Sequence, residues 1–100
     1  MSNPVVYIAF YPSDWLAGTR SLTATETGVY ITLLAMMYEQ QCPLDFETKR
    51  LARLCGLPAG SFEKVIRNLI TQGKILQTAT GLWNDRVEKE LNRVFEKSTK

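Results

Sequence analysis

Four stretches of this chain carry apolar residues at a period near 3.6, and two shorter ones have the composition of strands. The longest periodic stretch spans residues 22–41. Its Val29, Tyr30, Leu33, Leu34, Met37 and Tyr38 cover more than one helical face, which predicts a central helix buried against several neighbours. Thr23 and Glu26 have the spacing of a capping box at its start. Gly28 in its interior costs about 1 kcal/mol relative to Ala, so a backbone or large aromatic is expected to pack close there. Met36 and Met37 read as core filling.

Ahead of this helix, residues 5–11 form the apolar run VVYIAFY, rich in β-branched and aromatic residues and closed by Pro12. That predicts a buried N-terminal strand. Pro12, Ser13 and Asp14 have turn chemistry, and Ser13 or Asp14 is a candidate cap for a short helix holding Trp15, Leu16 and Ala17 and ended by Gly18. Trp15 reads as a core anchor, with a binding aromatic as the alternative.

Beyond the central helix, residues 42–44 break the pattern at Pro43 and are candidates for a short edge strand. Asp45 is then an N-cap for a helix over residues 46–55 with Leu51, Leu54 and Cys55 on one face. Gly56 stops it. The next helix begins with Pro58 as first residue or with Ser61 as cap, and carries Phe62, Val65, Ile66, Leu69 and Ile70 before Gly73 ends it. Two short amphipathic helices around a tight turn, within residues 49–74, are the local signature of a helix-turn-helix.

Residues 74–84 alternate weakly around Ala79, Thr80 and Gly81, which predicts a hairpin. A hairpin directly behind a helix-turn-helix is the wing of a winged helix. Its tip, residues 78–81, carries no Lys or Arg. Asn84 or Asp85 caps a last helix with Val87, Leu91, Val94 and Phe95 at helical spacing. Arg86 and Glu90 are placed to pair across one turn, worth about 0.2–0.5 kcal/mol. The apolar stripe of this helix packs on the domain or meets a second copy as a dimer contact. Residues 97–100 read as a frayed tail. The expected fold is mainly α with a small β-sheet. It is a winged helix-turn-helix with an N-terminal strand, a central helix, the helix pair, a short wing and a C-terminal helix, in one domain over residues 1–100.

Composition sharpens this picture in two places. With 45% hydrophobic residues, 100 residues can bury a core. The net charge of +2 is small but unevenly spread. Residues 1–48 hold one basic residue, Arg20, against five acidic ones, whereas residues 49–100 hold eleven basic against five acidic. The basic half begins at the helix-turn-helix, which points to an anionic partner, or simply to a solvated face.

The chain has no His and only two Cys, Cys42 and Cys55, without a CxxC spacing. The commonest general base and metal ligand are therefore missing, no zinc site is expected, and Cys55 reads as a small core residue. No phosphate-cradling loop, nucleophile elbow or paired-carboxylate motif occurs. The expectation is a protein that is not an enzyme and takes no cofactor. No apolar run approaches the ~18 residues of a membrane span, and no signal-peptide pattern opens the chain, so a soluble cytoplasmic protein with no membrane partner is expected.

Placing the apolar face of the second short helix inward leaves Ser61, Lys64, Arg67, Asn68 and Thr71 outward. Cations, an amide and hydroxyls suit phosphates and base edges. In this reading residues 61–72 form a recognition helix, Lys64 and Arg67 meet phosphates or guanine edges, and Asn68 reaches an adenine. Lys49, Arg50, Arg53 and Lys74 grip the flanking backbone.

The stretches YPSDWLAGT, LTATETGVYITLLAMMYE, RLARLCGL and GLWNDRVEKE, with the short Pro-Leu link, together resemble the YdaU-like family of prophage-encoded proteins over about residues 7–91. The resemblance implies a winged-helix-like domain, usually at the N-terminus of a longer protein, in a setting near phage replication. It carries no functional residues with it. The sequence thus leads to a DNA-binding domain of a replication-associated prophage protein. The alternative is a protein-interaction or dimerisation module of a phage replication assembly, with Phe10, Tyr11 and Trp83 as exposed aromatic candidates.

Overall fold

The computed structural model describes residues 7–98, with side chains over residues 7–96. The chain is mainly helical with a small antiparallel sheet. In order it runs α1 (Pro12–Thr19), α2 (Ala24–Gln40), α3 (Thr48–Cys55), α4 (Ala59–Thr71), β1 (Leu76–Thr78), β2 (Gly81–Trp83) and α5 (Asp85–Ser98).

α2 is the centre of the fold. The capping box forms as expected: Thr23 Oγ1 accepts the Glu26 N–H at 3.1 Å and Glu26 Oε1 accepts the Thr23 N–H at 2.9 Å. Val29, Leu33, Leu34 and Met37 are buried along its inner side, where α3, α4 and α5 all pack. Gly28 departs from expectation. A Cβ built on it meets nothing within 4 Å, so no neighbour requires the glycine. The helix ends at Gln41, whose φ of 63° makes it the one non-glycine residue in the left-handed region among those described.

The helix pair forms with shifted boundaries. α3 starts at Thr48 rather than at residue 46, and Glu47 occupies the N-cap position without a side-chain bond, so Asp45 does not cap it. Gly56, at φ 75°, closes the helix as its type predicts. α4 begins at Ala59 with Pro58 in the N-cap position, so neither Pro58 as first helical residue nor Ser61 as cap describes it. The extended Pro58 (ψ 149°) turns the chain into the helix, and Ser61 lies in its first turn.

β1 and β2 pair antiparallel with Leu76 opposite Trp83 and Thr78 opposite Gly81. The predicted edge contact of residues 42–44 narrows to Leu44, which forms a single antiparallel bridge to Leu82. Its N–H donates to the Leu82 carbonyl at 2.9 Å and its carbonyl accepts the Leu82 N–H at 2.8 Å. The hairpin is thereby tied to the link between α2 and α3. Leu33, Leu44, Leu51, Phe62, Leu69, Ile75, Leu82 and Val87 are fully buried, so α2, α3, α4, β2 and α5 feed one core together with Leu44 in the α2–α3 link and Ile75 just ahead of β1.

The predicted N-terminal strand does not form over residues 7–11, and Val5 and Val6 lie outside the described residues. Tyr7, Phe10 and Tyr11 are exposed. Residues 8–11 lie against α1 and α2 rather than along the hairpin. The Ala9 N–H donates instead to Glu90 Oε2 on α5 at 2.9 Å. Pro12 begins α1 rather than closing a strand, as its fixed φ and missing N–H suit the first helical position. Neither Ser13 nor Asp14 caps α1, and Gly18 lies inside it. α1 buries no residue fully and attaches through Trp15, whose ring stacks on Tyr30 at 5.7 Å and an interplanar angle of 5°.

On α5, Asn84 is the cap. Its Oδ1 accepts the Val87 N–H at 2.9 Å and its Nδ2 donates to the Lys74 carbonyl at 2.7 Å, joining the helix to the start of the hairpin. Arg86 and Glu90 do not pair. Arg86 reaches Asp14 on α1 at 3.4 Å, and Glu90 takes Arg93. Val87 and Leu91 are buried, Val94 is half-buried and Phe95 is exposed, so most of the stripe is spent inside the domain. α5 continues through Ser98. Among the described residues no helix is long and apolar enough to cross a membrane.

Candidate nucleic-acid interface

α4 buries Phe62, Ile66 and Leu69, and the 100° step between residues then fixes what the rest of the helix shows. Ser61, Lys64, Arg67 and Thr71 are exposed, as the sequence leads one to expect. Glu63 is exposed as well and adds an acid to the same helix. On α3, Leu51 and Ala52 face the core, which leaves Lys49, Arg50, Arg53 and Leu54 exposed. α3 and α4 pack directly on each other, so the two basic rows belong to one helix pair. Lys74 is only half-buried and lies at the exit of α4, where its N–H donates to the Leu69 carbonyl at 3.0 Å.

Asn68 departs from the outward row. It is half-buried, and its Nδ2 donates to Glu26 Oε2 at 2.6 Å. One turn further on, Gln72 Oε1 accepts the Ser21 hydroxyl at 3.3 Å. This shoulder of α4 is therefore used to attach the helix to the start of α2. The Thr23 N–H, then the Asn68 amide, hold the Glu26 carboxyl below its ordinary pKa, so it is ionised at neutral pH. A residue 42 positions away in sequence supplies this partner, and helical periodicity carries no sign of it.

The hairpin tip is closed on itself. Thr78 Oγ1 accepts the Thr80 N–H at 3.2 Å and donates to the Gly81 carbonyl at 3.0 Å. Trp83, expected among the exposed aromatics, is half-buried, and its Nε1 donates to Glu88 Oε1 at 2.8 Å.

A second feature lies along α2. Residues 8–11 and α1 enclose, against α2 and the start of α5, a cleft of about 290 Å³ walled by Phe10, Tyr11, Trp15, Tyr30, Leu34 and Tyr38. Arg86 stands 6.0 Å from the centre of the Tyr11 ring at its rim. Burial pushes the Tyr30 and Tyr38 hydroxyls above the usual phenol range. The cleft depends on the N-terminal segment lying across α2, a placement that the strand reading of residues 5–11 concealed. Burial also raises the Cys55 thiol, consistent with a packed, unreactive side chain. No group of three or more potential metal ligands occurs among the described residues.

The model of one protein family, described as "Protein of unknown function (DUF1376)", matches residues 6–92. No curated protein and no solved structure matches the chain.

Proposed function

We propose, for a chain that belongs to the DUF1376 family of proteins of unknown function, that it is a winged-helix DNA-binding domain with α4 as the helix presented to the duplex. The order of elements supports the fold part of this reading: a central helix, a bridge through Leu44, a helix pair, then a hairpin whose second strand takes that bridge. The observation that carries the functional part is the exposed row Lys64, Arg67 and Thr71 on α4, backed by Lys49, Arg50 and Arg53 on the helix packed against it. These side chains suit phosphate oxygens and groove edges. Resemblance of the motifs to prophage proteins gives phage DNA replication as the biological setting. The role is one of binding, without catalysis or cofactor.

The test is binding of the purified chain to duplex and single-stranded DNA across a salt series. The expected result is duplex binding that weakens steeply with salt and is lost in a Lys64→Glu/Arg67→Glu double variant. Unchanged affinity in that folded variant would remove α4 from the interface.

One observation favours a second reading, a protein-interaction module. Phe10, Tyr11, Leu16 and Ile31 expose large apolar side chains on and around the α1–α2 cleft. A chain that ignores DNA but recovers a replication protein from a phage host, and loses it on Phe10→Ala, would favour that reading.

A further inference from the structure

We propose that two copies of this chain pair through the outward face of α2, about a two-fold axis between Ile31 and Ala35. A helix at a protein surface typically turns charged and polar residues to solvent. α2 does not. From Ala24 to Tyr38 its one charged residue is Glu26, and that carboxylate is held by the Thr23 N–H and the Asn68 amide. Burying Val29, Leu33, Leu34 and Met37 leaves Ala24, Gly28, Ile31 and Ala35 exposed. Neighbouring segments extend this apolar surface. Of nine large apolar side chains exposed among the described residues, six belong to residues 7–11, α1 and α2: Tyr7, Ile8, Phe10, Tyr11, Leu16 and Ile31. Apolar surface gathered in this way marks an interaction site.

Charge and relief together select a second copy as the occupant. A polyanion or a strongly charged peptide would lose hydration here without gaining a counter-charge. Ile31 and Ala35 stand one helical turn apart, a large side chain beside a small one. Both line a shallow hollow with Thr32, Met36 and Glu39, and both border the cleft walled by Phe10, Trp15 and Tyr38. They form a ridge between two hollows. A two-fold axis between them sets each Ile31 against the Ala35 of the other copy, so one surface supplies both knob and socket, as an isologous contact requires. A crossing of about 50°, the commonest between packed helices, carries the two helices apart on either side and leaves Gly28 outside the contact. A standard interface takes about 800 Å² from each partner. The α2 row alone falls short of that, and the large side chains beside it bring the face to that order. α4 packs on the buried side of α2, so the pairing leaves the exposed rows of both α4 helices uncovered and is independent of DNA binding.

The experiment is sedimentation equilibrium of the purified chain over a concentration series. The expected result is a monomer–dimer equilibrium reaching twice the 11.3 kDa of one chain, with a dissociation constant in the micromolar range or below. Ala35→Arg and Ile31→Lys lie at exposed positions and should keep the helical circular dichroism of the parent. Each buries a charge in the dimer and should weaken it by at least about tenfold. Phe95→Ala on α5 should leave the dimer unchanged. A chain that is monomeric at every concentration would overturn the pairing. So would a dimer that survives either α2 variant in folded form, or one that Phe95→Ala dissociates, which would place the contact on α5. A mass climbing past two copies would show an open, head-to-tail contact and overturn the two-fold arrangement.

Discussion

Gly81 lies so close under the carbonyl of Leu44 that a Cβ on it would stand 2.0 Å from that oxygen. Its φ of 141° also belongs to glycine alone. The contact sits beside the paired Leu44–Leu82 hydrogen bonds that tie the hairpin to the α2–α3 link. Gly81→Ala is expected to push the two backbones apart and lose both bonds, at a cost of at least about 2 kcal/mol. Urea denaturation followed by circular dichroism measures it, and a midpoint equal to that of the parent would mean that the bridge is not made.

Gly28 is the opposite case. It lies within α2, exposed, with open space where a Cβ would go. Gly28→Ala should therefore recover the helix propensity lost at this position, raising stability by about 1 kcal/mol. A thermal melt that falls instead would place a neighbour against this face.

Gln41 holds the left-handed C-cap of α2 at φ 63°, and its buried Nε2 has no hydrogen-bond partner among the described residues. Both features oppose folding. Gln41→Gly keeps the cap conformation and removes the buried amide, for an expected gain of about 0.5–1 kcal/mol. If denaturation shows a loss of stability, the side chain contributes packing that outweighs both terms.

Glu90, 9% exposed on α5, joins two partners. Arg93 binds both its oxygens, at 3.2 and 2.5 Å, and the Ala9 N–H donates to Oε2 at 2.9 Å. The guanidinium first, and the Ala9 N–H second, hold this carboxyl below its ordinary value of 4.5. A depressed folded pKa gives stability that is fully present above the unfolded value and lost as pH falls through the folded one. Acidification below about 4.5 should thus loosen the residues around Ala9 from α5. Glu90→Gln should cost about 1 kcal/mol at neutral pH and flatten the acid limb of the stability profile. Hydrogen exchange at Ala9 reads the contact directly: equal protection at pH 7 and pH 3 would show that Glu90 does not hold it.

How far the sequence reached depended on the range of the interaction concerned. The capping box of Thr23 and Glu26, the Gly56 stop, the amphipathic stripes of α3, α4 and α5 and the hairpin around residues 79–81 were all legible. Each arises from backbone geometry over a few residues, so periodicity and residue type determine it. The exposed cations of the candidate interface follow from the same rule, since burying Phe62, Ile66 and Leu69 turns Lys64 and Arg67 to solvent. Choice of partner was left to the tertiary structure. Apolar composition over residues 5–11 resembles a strand, but residues 8–11 lie against α1 and α2 instead of along the hairpin. Arg86 sits one turn from Glu90 yet pairs with Asp14, because α1 is brought over it. Asn68 lies on the polar side of its helix yet turns to Glu26, because the first turn of α2 lies beside it. Gly81 looked like an ordinary turn glycine until the Leu44 carbonyl came to lie against it. In each of these cases the deciding group is distant along the chain, and only packing brings it within bonding range.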